Sequence, residues 1–96
     1  MKAFISGSDK DNVITCCEAV EAGDIFQING VSITAAQSIP IYHKMAIAAV
    51  SKGAYVYKYG QPIGIASADI LPGQHVHIHN LESDRGRGDR KGGSAK

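Results

Sequence analysis

The sequence predicts a small all-β domain. Three observations carry that prediction. Short β-branched or alternating runs recur along the chain, closed by Gly, Pro or Asn-Gly at spacings of about 8–12 residues. One local pattern occurs three times: an apolar residue, two others, Gly, then a short strand, starting at Val20, Val50 and Ile70. Segments that could begin a helix are cut short, because Pro40 drives Ile39 out of the α region.

The elements follow in order. Lys2 to Ile5 reads as a first strand, and Ser6 to Asn12 as a polar loop around Gly7. Val13 to Ala19 is rich in β-branched and small residues and reads as a strand. Ile25 to Ile28 and Val31 to Thr34 flank Asn29-Gly30, a strong hairpin signal. Ala35 to Tyr42 reads as a loop. Met45 to Val50 is apolar throughout; strand is preferred, because Ser51-Lys52-Gly53 then turns into Tyr55 to Tyr59. Tyr55, Tyr57 and Tyr59 share one strand face, with their hydroxyls at the rim. Gly60-Gln61-Pro62 is a turn before a strand from Ile63 to Ala66. The third repeat ends in a strand from His75 to His79. Alternation there puts His75, His77 and His79 on one face and Val76 and Ile78 on the other.

The folded domain is expected over residues 1–81. From Glu82 to Lys96 the composition falls to Gly, Ser and charge, with five basic residues against three acids. Such a segment buries too little apolar surface to offset its ordering entropy, so residues 82–96 read as a flexible basic tail.

At 96 residues the chain makes one small domain, too small to enclose a large substrate alone. A net charge of +1 gives no electrostatic case for nucleic acid or an anionic membrane as partner. No apolar run approaches the roughly 18–20 residues of a membrane helix. The N-terminal Met-Lys-Ala-Phe-Ile-Ser-Gly is too weakly apolar for a signal peptide, so the cytoplasm is the expected compartment. Cys16 and Cys17 are adjacent and point to opposite strand faces, which disfavours a bridge between them. One buried and one half-buried free thiol are expected.

Imidazoles at alternate strand positions stand about 6–7 Å apart on one face and can converge on a metal ion. Iron, zinc, copper and nickel all accept imidazole. His75, His77 and His79 are therefore candidate metal ligands. His43-Lys44 is a second candidate, at the mouth of the Met45–Val50 run. There His can exchange a proton near neutrality, and Lys can hold a carboxylate or stabilise an enolate. No Ser-His-Asp arrangement, catalytic carboxylate pair or phosphate loop stands out.

Three stretches together resemble a known family. They are Ile39-Pro40-Ile41-Tyr42-His43-Lys44-Met45-Ala46, Val56-Tyr57-Lys58-Tyr59-Gly60-Gln61-Pro62-Ile63-Gly64 and Gly73-Gln74-His75-Val76-His77-Ile78-His79-Asn80. In this order they resemble the SAF-type N-terminal domain of altronate/galactarate dehydratases, across nearly all of Val13 to Asn80.

The resemblance implies a compact β-clip, and a hydro-lyase that removes water from a sugar acid with a divalent metal, expected to be iron(II). It implies a separate large catalytic subunit, with this chain as a small subunit inactive alone. Residue by residue, the family's Gly-His-Lys falls on Tyr42, His43 and Lys44, with Tyr42 departing from Gly. Its His-x-His-Asn falls on His77, His79 and Asn80, with Asn80 facing substrate; His75 lies outside that pair. Arg85 and Arg87 of the tail are expected to reach substrate or partner. Two alternatives remain: the small subunit of a related sulfo-lyase, and a non-catalytic SAF-type module that binds carbohydrate or a partner. A chain ending at Leu81 is expected to stay folded and to assemble less well with the large subunit, as melting and co-purification would test.

Overall fold

Four short units, each a buried small residue followed four positions later by a buried β-branched one, organise the chain. The pairs are Cys16 and Val20, Ala35 and Ile39, Ala46 and Val50, and Ala66 and Ile70, all at most 3% exposed. Three residues further on, each unit turns at a positive φ: Gly23 (96°), Tyr42 (69°), Gly53 (91°) and Gly73 (91°). Each turn is closed by the same i→i+3 hydrogen bond, from Asp24, His43, Ala54 and Gln74 N–H to the carbonyls of Glu21, Pro40, Ser51 and Leu71. A positive φ at the third position is the mark of a type II turn, where Gly is normally required. Pro72 occupies the second position of the last turn, where its fixed φ is favoured.

The computed structural model describes residues 2–83. Nine strands follow in order: β1 (Phe4–Ile5), β2 (Val13–Cys16), β3 (Ile25–Ile28), β4 (Val31–Thr34), β5 (Lys44–Ala46), β6 (Tyr55–Lys58), β7 (Gln61–Ala66), β8 (His75–Val76) and β9 (Leu81–Glu82). They form three antiparallel sheets, ordered β1-β2-β5-β8, β3-β4 and β6-β7-β9. The all-β class expected from the sequence is what the chain adopts. Among the described residues no helix is long and apolar enough to cross a membrane.

The four units interlock in two reciprocal pairs. Tyr42 N–H donates to Cys16 O while Cys16 N–H donates to His43 O; Gly23 N–H donates to Ala35 O while Ala35 N–H donates to Asp24 O. Thus the first unit's strand end holds the second unit's turn, and the reverse. An antiparallel bridge between Val20 and Ile39 closes the pair. The third and fourth units repeat this: Gly53 and Ala54 pair with Ala66, Gly73 and Gln74 with Ala46, and Val50 bridges Ile70. Each pair surrounds its own core. Ile14, Phe26, Ile28, Ile33 and Met45 join the first, and Val13, Val56 and Val76 join the second. The β2–β5 ladder ties the halves together through Val13↔Ala46, Ile14↔Met45 and Thr15↔Lys44.

Asn29 (φ 52°) and Gly30 (φ 80°) turn the β3–β4 hairpin as expected. The second hairpin turns one residue earlier than expected, at Tyr59 (φ 56°) and Gly60 (φ 77°), leaving Gln61 and Pro62 inside β7. Asp11 explains the shift. Its carboxylate accepts from Tyr59 N–H at 2.7 Å and Gly60 N–H at 2.8 Å, fastening the polar loop to this turn. Burial pushes the Asp11 carboxyl up, but hydrogen bonds from Gly60, Tyr59 and Ser8, with the charge of Lys58, outweigh it and hold it below the ordinary carboxylate value. Asn12 repairs the bulge between Val56 and Tyr57: it accepts from Tyr57 N–H and donates to Tyr55 O.

Three expectations need correction. Ala35 to Tyr42 is not a plain loop but the second unit, hidden because Tyr42 stands where the other units have Gly. The Met45–Val50 strand stops at Ala46, since the chain must bend to deliver Val50 to its bridge with Ile70. The His75–His79 strand stops at Val76. Val76 is buried as expected, but Ile78 is 83% exposed in the turn that follows. At the C-terminal side, β9 straddles the expected boundary, because Glu82 pairs Ile65 and Leu81 pairs Ala66. A cut after Ser83, rather than Leu81, leaves that ladder whole. Asp84 to Lys96, with Arg85 and Arg87, lie outside the described residues.

The repeat makes a graded prediction. A Cβ added at Gly23 meets nothing within 4 Å, so Gly23→Ala carries only the cost of a positive φ, about 1–2 kcal/mol. At Gly73 the same Cβ would lie 2.2 Å from Thr34 O, so Gly73→Ala adds a backbone clash and is expected to cost about 3–5 kcal/mol. Urea unfolding of the two variants checks the order.

Candidate functional site

Two of the four turns deliver the imidazoles. His43 closes the second unit's turn and stands just before β5, with Lys44 as the first residue of that strand. His75 follows the fourth unit's turn and opens β8. The register Lys44↔Val76 and Met45↔His75 lays these strands antiparallel and brings their ends together. His43 Nδ1 lies 2.9 Å from His75 Nε2, a hydrogen bond between rings 32 residues apart in sequence. The His43 ring also stacks on His77, with centroids 4.4 Å apart and planes 10° from parallel. His75 lies 5.5 Å from His77 and 5.3 Å from His79 by ring centroid. All four histidines of the chain therefore gather at one end of the β5–β8 pair.

Asn80 shapes the second half of this cluster. Its side chain donates to His75 O at 2.8 Å and accepts from His77 N–H at 3.0 Å, while its own N–H donates to His77 O. These bonds end β8 and fold His77 to Asn80 into a turn, tied to the end of β7 by Ser67 N–H donating to Asn80 O. Asn80 is buried, and its amide is committed to the backbone around it. Gln37 was not legible in advance: its Oε1 accepts from His75 N–H at 3.1 Å, and no local sequence signal announces that contact.

Burial holds the His75 imidazole below its ordinary value, and the neighbouring charges of His43, His79 and His77 add to this. Burial also pushes the Cys16 thiol up to about 11, with Cys17 adding to the shift, so Cys16 is a core group rather than a nucleophile. Both cysteines are free, Cys16 buried and Cys17 half-buried, as expected from their adjacency.

The imidazoles suit iron or zinc by donor chemistry. Yet among the described residues no three His, Cys, Asp or Glu side chains are placed to hold one metal ion. The expected set of His75, His77 and His79 does not converge, because His77 and His79 lie on a turn rather than on one strand face. His75 is instead engaged with His43. A depression of about 610 Å³ lined by Lys2, Glu18, Asp24 and Gln27 shares no residue with the cluster, and Lys2 spans its two carboxylates there.

Residues 2–84 match the family of altronate/galactarate dehydratase SAF domains. The chain belongs to that family. It is 37% identical over 84 residues to the altronate dehydratase of Bacillus subtilis (strain 168), covering 88% of this chain and 17% of that protein. It is 39% identical over 74 residues to the altronate dehydratase of Escherichia coli (strain K12), covering 77% of this chain and 15% of that protein. The chain thus spans less than a fifth of those relatives. It is also 33% identical over 78 residues to the (2R)-sulfolactate sulfo-lyase subunit alpha of Chromohalobacter salexigens, covering 75% of this chain and 83% of that subunit.

The His75 environment sets a pH dependence. Its folded pKa is lowered, so the unfolded chain binds its proton first as pH falls. The stability this group contributes is present above about 6.5 and is lost as pH drops below that value through the folded pKa. Imidazole NMR is expected to show His75 titrating below 6.5, and His43→Gln is expected to move it back toward 6.5.

Proposed function

We propose that this chain is the SAF-type part of a sugar-acid dehydratase and works with a larger catalytic body. The observation that carries the reading is the His43–His75 contact with His43 stacked on His77. Two segments far apart in sequence, His43-Lys44 and His77 to Asn80, meet at one place.

Dehydrating a hydroxy acid breaks the C–H bond α to the carboxylate and leaves its electron pair in an enediolate. The β C–O bond then breaks, and the leaving hydroxide takes a proton to become water. His43 would exchange one of these protons through Nε2, since Nδ1 faces His75. Lys44 would hold the substrate carboxylate and offset the enediolate charge. His75 and Asn80 would set the ring positions, Asn80 acting through the His77 turn rather than on substrate. A divalent cation such as iron(II), where bound, supplies Lewis-acid stabilisation. This chain's imidazoles do not enclose one alone, so further ligands would come from the larger body.

A second reading rests on the sulfo-lyase relative, of which the chain matches 83% at 33% identity. That supports the alpha-type part of a sulfo-lyase acting on a sulfonated hydroxy acid.

Co-expression with the large dehydratase-family chain of the same organism tests both. A complex that dehydrates altronate or galactarate, and loses at least about 100-fold in turnover with His43→Ala and His79→Ala together, is the expected result. Turnover of sulfolactate instead would favour the second reading. An unchanged rate in the double variant would overturn the site. Calorimetric binding of aldarates by the lone chain, with no complex formed, would favour a binding module.

A further inference from the structure

Tyr42 is the exception among the four turns. Gly23, Gly53 and Gly73 take the positive φ without a side chain to strain it, whereas Tyr42 adopts 69° with a full aromatic side chain. Tyr59 shares such a φ, but its turn is fastened by Asp11, and Lys58 Nζ lies 3.5 Å over its ring. The Tyr42 turn is held by its backbone exchange with Cys16, but the side chain takes no part in it. Its side chain is 70% exposed and makes no hydrogen bond, ion pair or ring contact among the described residues. The turn needs the positive φ but not an aromatic side chain there, and strained non-glycine positions cluster at functional surfaces.

Its neighbours share this exposure. Ile41 is 44% exposed, and Ile78 is 83% exposed. One step inward from Tyr42 and Ile78, on the two antiparallel segments, the rings of His43 and His77 are stacked. An exposed aromatic and two exposed isoleucines therefore adjoin members of the imidazole cluster along the chain.

We propose that Ile41, Tyr42 and Ile78 are the seat on which the larger catalytic body docks, so that the imidazole cluster is completed at that interface. This rests on the two-part reading above. The occupant is argued from two observations. In the two altronate dehydratases the matching region is 17% and 15% of the protein, so it shares a chain there with a body several times its size. The three residues also offer apolar surface and a single hydroxyl. A sugar acid, all hydroxyls and carboxylate, would need polar partners there, whereas a protein surface fits, and exposed Tyr is a common anchor of such contacts.

The test compares the full-length chain with Tyr42→Gly and Ile78→Ser, each co-expressed with the large dehydratase-family chain of the same organism. Melting of each small chain alone is measured beside the affinity of assembly. Tyr42→Gly removes the strained side chain, so its melting temperature is expected to hold or rise while assembly weakens at least tenfold. A residue serving only the fold would move the two together. Ile78→Ser leaves the core untouched and is expected to weaken assembly in the same way; it decides the matter if Tyr42→Gly melts early. Normal assembly by both variants would overturn the seat but leave the two-part reading standing. Failure of the unaltered chain to assemble would overturn that reading and the seat with it.

Discussion

The structure depends on one reciprocal exchange: a turn's N–H and C=O closing on the end of another unit's strand. Each exchange satisfies backbone groups that would otherwise be buried without partners. It also fixes where the chain goes next, because the residue that completes the turn stands immediately before the following strand. Small residues are needed at the strand ends, since a turn lies against them. Cys16, Ala35, Ala46 and Ala66 meet that need, and a β-branched residue four positions on fills the space beneath. With so short a chain and so modest a core, this repeated backbone pairing specifies the fold as much as apolar burial does.

The same exchange places the chemistry. His43 completes one turn and His75 follows another, so neither ring is positioned by a long strand or helix. Their contact comes from the β5–β8 register, and Asn80 keeps the other two imidazoles near by folding the chain back on itself. Backbone fixed at both ends of the His43–His75 bond holds the two rings in one geometry.

Much of this was legible in the sequence. The β3–β4 hairpin could be read to the residue, because Asn29-Gly30 admits few turns and both strands alternate cleanly. Three of the four units showed themselves through Gly23, Gly53 and Gly73. The second stayed hidden, since Tyr42 masks the positive φ and Ile39-Pro40 reads as a loop. His77 and His79 were assigned to a strand because periodicity sees only side-chain order. What ends that strand is a side-chain-to-backbone bond from Asn80, which no hydropathy pattern carries. Nor does any such pattern announce that the Asn80 amide bonds the backbone of His75 and His77. The pairing of His43 with His75 spans 32 residues and follows from register, so sequence alone offered two separate candidates rather than one cluster.

The chain passes from its first core to its second within β5, between Met45 and Ala46, and His43-Lys44 stands just before that crossing. His43 O accepts from Cys16 N–H of the first core, while His75 and His77 flank Val76 of the second. The cluster therefore lies at a seam between the two cores, which the β2–β5 ladder, the β5–β8 pair, Ala36 N–H donating to Gly73 O and His75 N–H donating to Gln37 Oε1 all hold. A shift of β5 against β8 would part the His43–His75 contact. The seam makes the site a gauge of how the halves are aligned, and whatever clamps both halves at once also sets the distance between its imidazoles.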